Sequence, residues 1–209
     1  MKILSYSIII SLILSSCNTA KTELSAEEVE ALQQQYADVF KPLDGVWRGQ
    51  FYVYSDPNGQ TSAESAQPKN IDLSTLVSLN LKNQFVIDVE QRYTSDNPWY
   101  QRVEIKDTYL KDGQEQVVKS SGVNKVEEGK LLCIVNKPDD QIIHSGAWDG
   151  KNTITWERDI REPLKIEFFS ETVTDSAYTI VGWGYYGTDN PELNPKTWFF
   201  GDYKRVFED

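Results

Sequence analysis

Residues 43–54 read LDGVWRGQFYVY, and the periodicity of that stretch decides the fold class. Trp47, Gly49, Phe51 and Val53 fall on one face, with Arg48, Gln50, Tyr52 and Tyr54 on the other. That twofold alternation is the mark of a strand with one buried side. Immediately upstream, residues 24–42, LSAEEVEALQQQYADVFKP, follow helical spacing instead. Ser25 is placed as an N-cap with Glu28 three positions on, Leu24 can staple to Val29, and Pro42 stops the helix. Val29, Leu32, Tyr36 and Val39 form one apolar face, so the helix is expected to lie against something.

The alternation returns along the rest of the chain. NQFVIDVEQRY (83–93) sets Phe85, Ile87 and Val89 against Asp88, Glu90 and Arg92, and Val103 and Ile105 oppose Arg102, Glu104 and Lys106. Asn97-Pro98, Asp112-Gly113, Glu128-Gly129 and Asp149-Gly150 punctuate these runs as turns. Strands are expected near 46–54, 72–81, 84–93, 99–109, 115–123, 130–136, 141–148, 152–159, 164–173, 177–186 and 197–207. Sequential antiparallel strands must pair or protect their edges, and closure into a barrel removes the edges altogether. The expected fold is therefore all-β, an antiparallel up-and-down barrel with an N-terminal capping helix. Periodicity leaves a β-sandwich open as the rival. Two polar segments, SDPNGQTSAESAQPKN (55–70) and GTDNPELNPK (187–196), interrupt the pattern and suit lids or binding loops.

The first residues, MKILSYSIIISLILSSC, hold one cation at Lys2 and an apolar run from Ile3 to Leu14. That run falls short of the ~20 residues a spanning helix needs and suits a signal peptide over residues 1–16. Residues 17–24 then form a tether, and residues 25–209 a single domain. A net charge of −11 argues against a phosphate-tracking role, so no nucleic-acid partner is expected. If Cys17 is modified, Cys133 has no partner for a disulfide, and its place in KLLCIVN reads as a small buried hydrophobe.

Leu14-Ser15-Ser16-Cys17 resembles a bacterial lipobox. The resemblance implies acylation of Cys17, a lipid anchor in the cell envelope and, with Asn18 rather than Asp next, an outer-membrane site facing the periplasm. Gly45-x-Trp47 directly after a short helix resembles the opening of the calycin superfamily, the lipocalins, fatty-acid-binding proteins and their relatives. The resemblance implies a barrel of eight to ten strands whose floor is sealed by Trp47 under an arginine of the last strand, here Arg205 in FFGDYKRVF. An indole face attracts a guanidinium, and Gly45 permits close approach. The second lipocalin signature has no good match, since Thr188-Asp189-Asn190 comes too late in the chain. Gly45-x-Trp47-x-Gly49 also resembles the start of nitrobindin-like haem barrels, and NPWYQRVEI (97–105) resembles a segment of phycobilin lyase-like calycins.

No residue set dictates a reaction, so binding of a small apolar or amphipathic molecule by a monomer is expected, without a cofactor. Phe85, Ile87, Val103, Trp156 and Tyr185 are the expected cavity walls. Arg158 shares parity with Ile154 and Trp156 and, facing inward near the mouth, would read a carboxylate; Arg102 is a weaker second. His144 is the lone imidazole, so the haem alternative, or any histidine catalysis, rests on it. Glu157, Asp159 and Glu171 are read as a solvated face of an acidic chain. An interaction module of the envelope is the third reading.

Overall fold

The computed structural model of the protein describes residues 25–138 and 140–207. Cys17, the leader, the tether and the Leu24 staple lie outside the described residues. Ten strands run β1 Gly45–Ser55, β2 Lys82–Asn97, β3 Tyr100–Lys111, β4 Gln114–Glu127, β5 Lys130–Asn136, β6 Gln141–Trp148, β7 Thr153–Arg161, β8 Leu164–Val173, β9 Ala177–Tyr186 and β10 Thr197–Val206. Each pairs antiparallel with its sequence neighbours, and β1 pairs with β10, closing the barrel. Closure leaves no open edge, which is how a meander of this length avoids pairing with other chains.

The helix α1, Ala26–Gln35, begins at Ser25, whose side chain accepts from the Glu28 amide while Glu28 returns a bond to the Ser25 amide. It ends well before Pro42. Tyr36 is the C-cap, and Asp38 takes a left-handed backbone with φ 61° while its amide donates to the Pro98 carbonyl. No residue of α1 itself is buried. The apolar plug is the segment after it: Val39 and Phe40 pack on Val126, Leu131, Ile154 and Trp156, with the Phe40 and Trp156 rings stacked at 6.4 Å. Pro42 stands inside a 3-10 turn, Lys41–Leu43, that leads into β1.

The floor is built around Trp47, which is fully buried and donates its indole N–H to the Leu43 carbonyl at 2.7 Å. Register places Arg205 opposite Trp47, with the guanidinium 4.3 Å from the indole ring centroid. The same guanidinium donates to the carbonyls of Pro42, Asp44 and Asp175. Gly45, at φ 118°, leaves room for it.

The strand expected over 72–81 is instead a short helix, α2, Leu73–Ser78. Asp72 caps it and exchanges hydrogen bonds with Thr75, so local capping chemistry overrides the alternation of Leu73, Thr75 and Val77. Of that helix Leu76 is the buried residue, whereas Leu73 and Val77 face solvent. The two polar loops are not lids. They bind one another through Gln60, Asn194 and Gln67 and lie on the outer face of β8, β9 and β10. There they cover Ile166, Phe168, Val181, Trp183, Tyr185 and Trp198, a second apolar cluster outside the barrel.

Candidate functional site

Inside the barrel a cavity of about 240 Å³ lies above the floor. Its walls are aliphatic at Ile87, Val89, Val103, Ile105 and Val135, and aromatic at Tyr93, Trp156, Phe169, Tyr178 and Tyr203. Room for these rings comes from small partners: Gly146 sits against the Trp156 ring so closely that a Cβ there would collide with it. Asp107 and Lys137 stand at the upper end, where the walls continue into a vestibule lined by Phe85, Tyr109, Val118 and Pro138.

The polar groups at the base are held by a chain of hydrogen bonds that starts in the floor. Gln101 donates from Nε2 to the Phe40 carbonyl at 2.8 Å and to Asp44 at 2.9 Å. Its Oε1 is thereby turned toward β4, where it accepts from Asn124 Nδ2 at 3.0 Å. This sequence determines both amide orientations and leaves Asn124 Oδ1 as the amide atom without a partner, on a residue that lines the cavity. Among the described residues Asn124 Oδ1 and Ser120 Oγ have no hydrogen-bond partner, although Asn124 is 3% and Ser120 8% exposed.

Glu171 lines the base of this chamber and also the crevice beneath it, beside Leu43, Trp148 and Lys151. It accepts from the Trp156 indole N–H at 2.9 Å. Burial pushes its pKa up to about 7, against the lowering effect of hydrogen bonds from Trp156 and Tyr178. Burial likewise pushes up Tyr93, Tyr178 and Tyr203, with the nearby Glu171 charge adding to it, and raises the Cys133 thiol for the same two reasons. Cys133 is therefore a poor nucleophile here.

A second polar group occupies the wall toward the top. Glu167 Oε2 stands 2.8 Å from Arg158 Nη2 and 3.1 Å from His144 Nε2, and the Tyr186 hydroxyl donates to Oε1 at 2.5 Å. Burial alone would raise this carboxyl, but the bonds from His144 and Tyr186 and the Arg158 charge bring it down to about 2. Burial in turn pushes the Tyr186 hydroxyl up.

Ile87, Val103 and Trp156 line the cavity. Phe85 stands at the mouth, 52% exposed, rather than in the chamber. Tyr185 faces outward and bonds the Leu193 carbonyl at 2.6 Å under the loops, because on β9 the cavity face belongs to Tyr178 and Ile180. Arg158 points inward but is absent from the cavity wall, since Glu167 already engages it. A buried guanidinium without that carboxylate would be costly, so it is not free to read a ligand. Arg102 pairs with Asp96 at the surface, and Glu157 and Asp159 pair with Lys69 and Arg161 there. Glu171 is the residue that sequence reasoning missed.

His144 lines the cavity, yet its Nε2 is committed to Glu167. The chamber is also smaller than the ~300–1,000 Å³ of drug-sized sites, a range to which a porphyrin belongs. The residues present do not fit a haem. Among the described residues, no three His, Cys, Asp or Glu side chains converge to hold a metal ion.

Fold and interior together define a closed ten-stranded antiparallel barrel with a small internal chamber. No protein-family model and no curated protein matches the chain. Among solved structures it is similar to Rv2717c from M. tuberculosis, with a TM-score of 0.50 and 11% identity over 81% of this chain and 96% of that one. At that identity the likeness concerns the barrel fold alone.

Proposed function

We propose that this chain is a calycin-like lipoprotein of a bacterial envelope that takes a small amphipathic molecule into its barrel. The carrying observation is the cavity, largely apolar along its walls, with Asn124 Oδ1 near its base and Ser120 Oγ opposite Ile105 unpaired within the described protein. Each such buried polar atom costs ~1–3 kcal/mol unless something bonds it, so a barrel selected for stability alone would fill the space with side chains. An apolar body against Ile87, Val89 and Val103, with a polar head at the base, satisfies both halves of the chamber. The apolar leader ending at Cys17 supports export and a lipid anchor, with the domain held at the outer membrane and facing the periplasm.

Native mass spectrometry of the full chain after mild detergent extraction tests the reading. A small retained molecule, released on unfolding and missing from a Val103→Trp variant that fills the chamber, is the expected result. A chain that leaves the cell without such a molecule and takes up none of a panel of small apolar probes would sink it.

A further inference from the structure

The polarity of the cavity base narrows the ligand class, on the reading that the chamber binds a ligand at all. We infer that the ligand is a small amine on an apolar body, its ammonium seated between Glu171, Asn124 Oδ1 and the rings of Tyr93, Tyr178 and Tyr203.

The carboxyl of Glu171 and the amide oxygen of Asn124 both call for a donor. The chain from the Phe40 carbonyl through Gln101 forces Asn124 to present an oxygen, and that oxygen has no partner among the described residues. Ser120 Oγ, opposite Ile105 on the next strand, is a further unpartnered hydroxyl that can accept or donate. Glu171 supplies a carboxyl, and tyrosine faces attract cations. An anionic head would meet these oxygens with no compensating cation. Arg158 is held by Glu167, His144 Nε2 faces the same carboxylate, and Lys137 stands at the mouth opposite Asp107. The size agrees as well. A cavity of ~150 Å³ holds benzene, so about 240 Å³ suits a ring or short alkyl chain with an aminoethyl arm.

The titratable groups around Glu171 are Tyr93, Tyr178, Tyr203 and Cys133 in the cavity, Asp107, Lys137 and His144 higher on its walls, and Lys151 in the crevice beneath. With no cation beside it, burial keeps Glu171 partly protonated near neutrality. An arriving ammonium favours the carboxylate, so the Glu171 proton leaves to solvent as the amine binds.

Calorimetric titration of the full chain at about pH 7 with phenethylamine, phenethyl alcohol and hydrocinnamate tests the inference. The amine should bind about tenfold or more tighter than the alcohol, with the carboxylate weakest. Its apparent enthalpy should change between buffers of different ionisation heat, which reports the released proton in the unmutated chain. Glu171→Gln should remove both the amine preference and the proton release, so that amine and alcohol bind within about twofold of each other. If that variant fails to fold, the buffer comparison on the unmutated chain decides alone. Alcohol or carboxylate binding as tight as the amine, or amine binding without proton release, overturns the amine assignment and leaves the binding reading in place. Failure of all three to bind a folded chain overturns both.

Discussion

Glu167 and Glu171 project from the same inward face of β8, four residues apart, into opposite electrical surroundings. Glu167 meets Arg158, His144 and Tyr186, and its carboxyl is held at about 2. Glu171 meets tyrosines, a thiol and one indole N–H, and burial carries it to about 7. One strand thus places a permanent anion and a titrating acid in the same barrel, and the two act on stability with opposite signs.

For Glu171 the folded pKa lies above the ordinary 4.5, so the folded state binds the proton more tightly than the unfolded one. Its favourable contribution is complete below about pH 4.5 and is lost as pH rises through about 7. A shift of that size corresponds to about 3 kcal/mol. Urea unfolding midpoints measured from pH 4.5 to 8 should fall in the unmutated chain and stay flatter in Glu171→Gln, which keeps an acceptor for Trp156. Parallel profiles for the two proteins would show that Glu171 titrates normally.

Glu167 works the other way. Its folded pKa is below 4.5, so the stability it contributes is present above that pH and disappears as pH falls toward about 2. Glu167→Gln leaves the buried guanidinium of Arg158 without its counter-ion, an arrangement that costs about 3–5 kcal/mol. Arg158 Nε already lacks an acceptor among the described residues, so the pair is imperfectly satisfied. Replacing both residues by methionine should therefore recover most of the loss, and a double-mutant cycle in urea measures the coupling.

At the floor, Arg205→Ala removes a cation from the Trp47 ring and the donors to three backbone carbonyls. The expected loss is about 2–4 kcal/mol. Arg205→Lys keeps the charge but not the planar fork and should recover less than half of it. Equal stability of the lysine variant and the unmutated chain would mean that charge alone matters there.

Tyr185→Phe removes the hydroxyl that donates to the Leu193 carbonyl and accepts from the Gln67 amide. Because Tyr185 faces away from the cavity, the substitution should cost about 1–2 kcal/mol and speed proteolysis of the outer loops. Binding of small probes in the chamber should be unaffected. A change in probe affinity equal to that of a cavity variant such as Val103→Trp would contradict the outward placement.

Cys133 lines the chamber behind the aromatic wall with its thiol pKa raised by burial. Native protein should react with a thiol reagent much more slowly than urea-unfolded protein, and a bound probe should slow it further. Fast reaction in the native state would mean that the barrel opens readily between β5 and β6.

Local pattern carried most of the architecture. Alternation in LDGVWRGQFYVY and its successors, cut by Gly-containing turns, determined that the chain forms a meander, because side chains of period two leave one face to bury. The Ser25 and Glu28 pair marked the start of α1. Where α1 ends was not legible, since the Asp38 turn rests on a carbonyl contributed by Pro98. Likewise 72–81 alternates like a strand, and only its position against the outer cluster and the Asp72 cap make it a helix.

The candidate site shows the division more sharply. On β8, Ile166 and Phe168 form one apolar face, and Glu167 and Glu171 interrupt the other, so the strand's own pattern points the glutamates toward water. Tertiary structure reverses that reading, because the 55–70 and 187–196 loops cover the outer face and bury Ile166, Phe168 and Tyr185 there. A strand apolar on both sides has no intrinsic inside, so its facing is decided by what packs on each side. The sequence alone determined a meander of half-buried strands, whereas closure through β1 against β10 and the seat of Trp47 in the floor belong to the tertiary structure. Only packing between distant segments decided which carboxyls face the chamber, and with that the chemistry the chamber can hold.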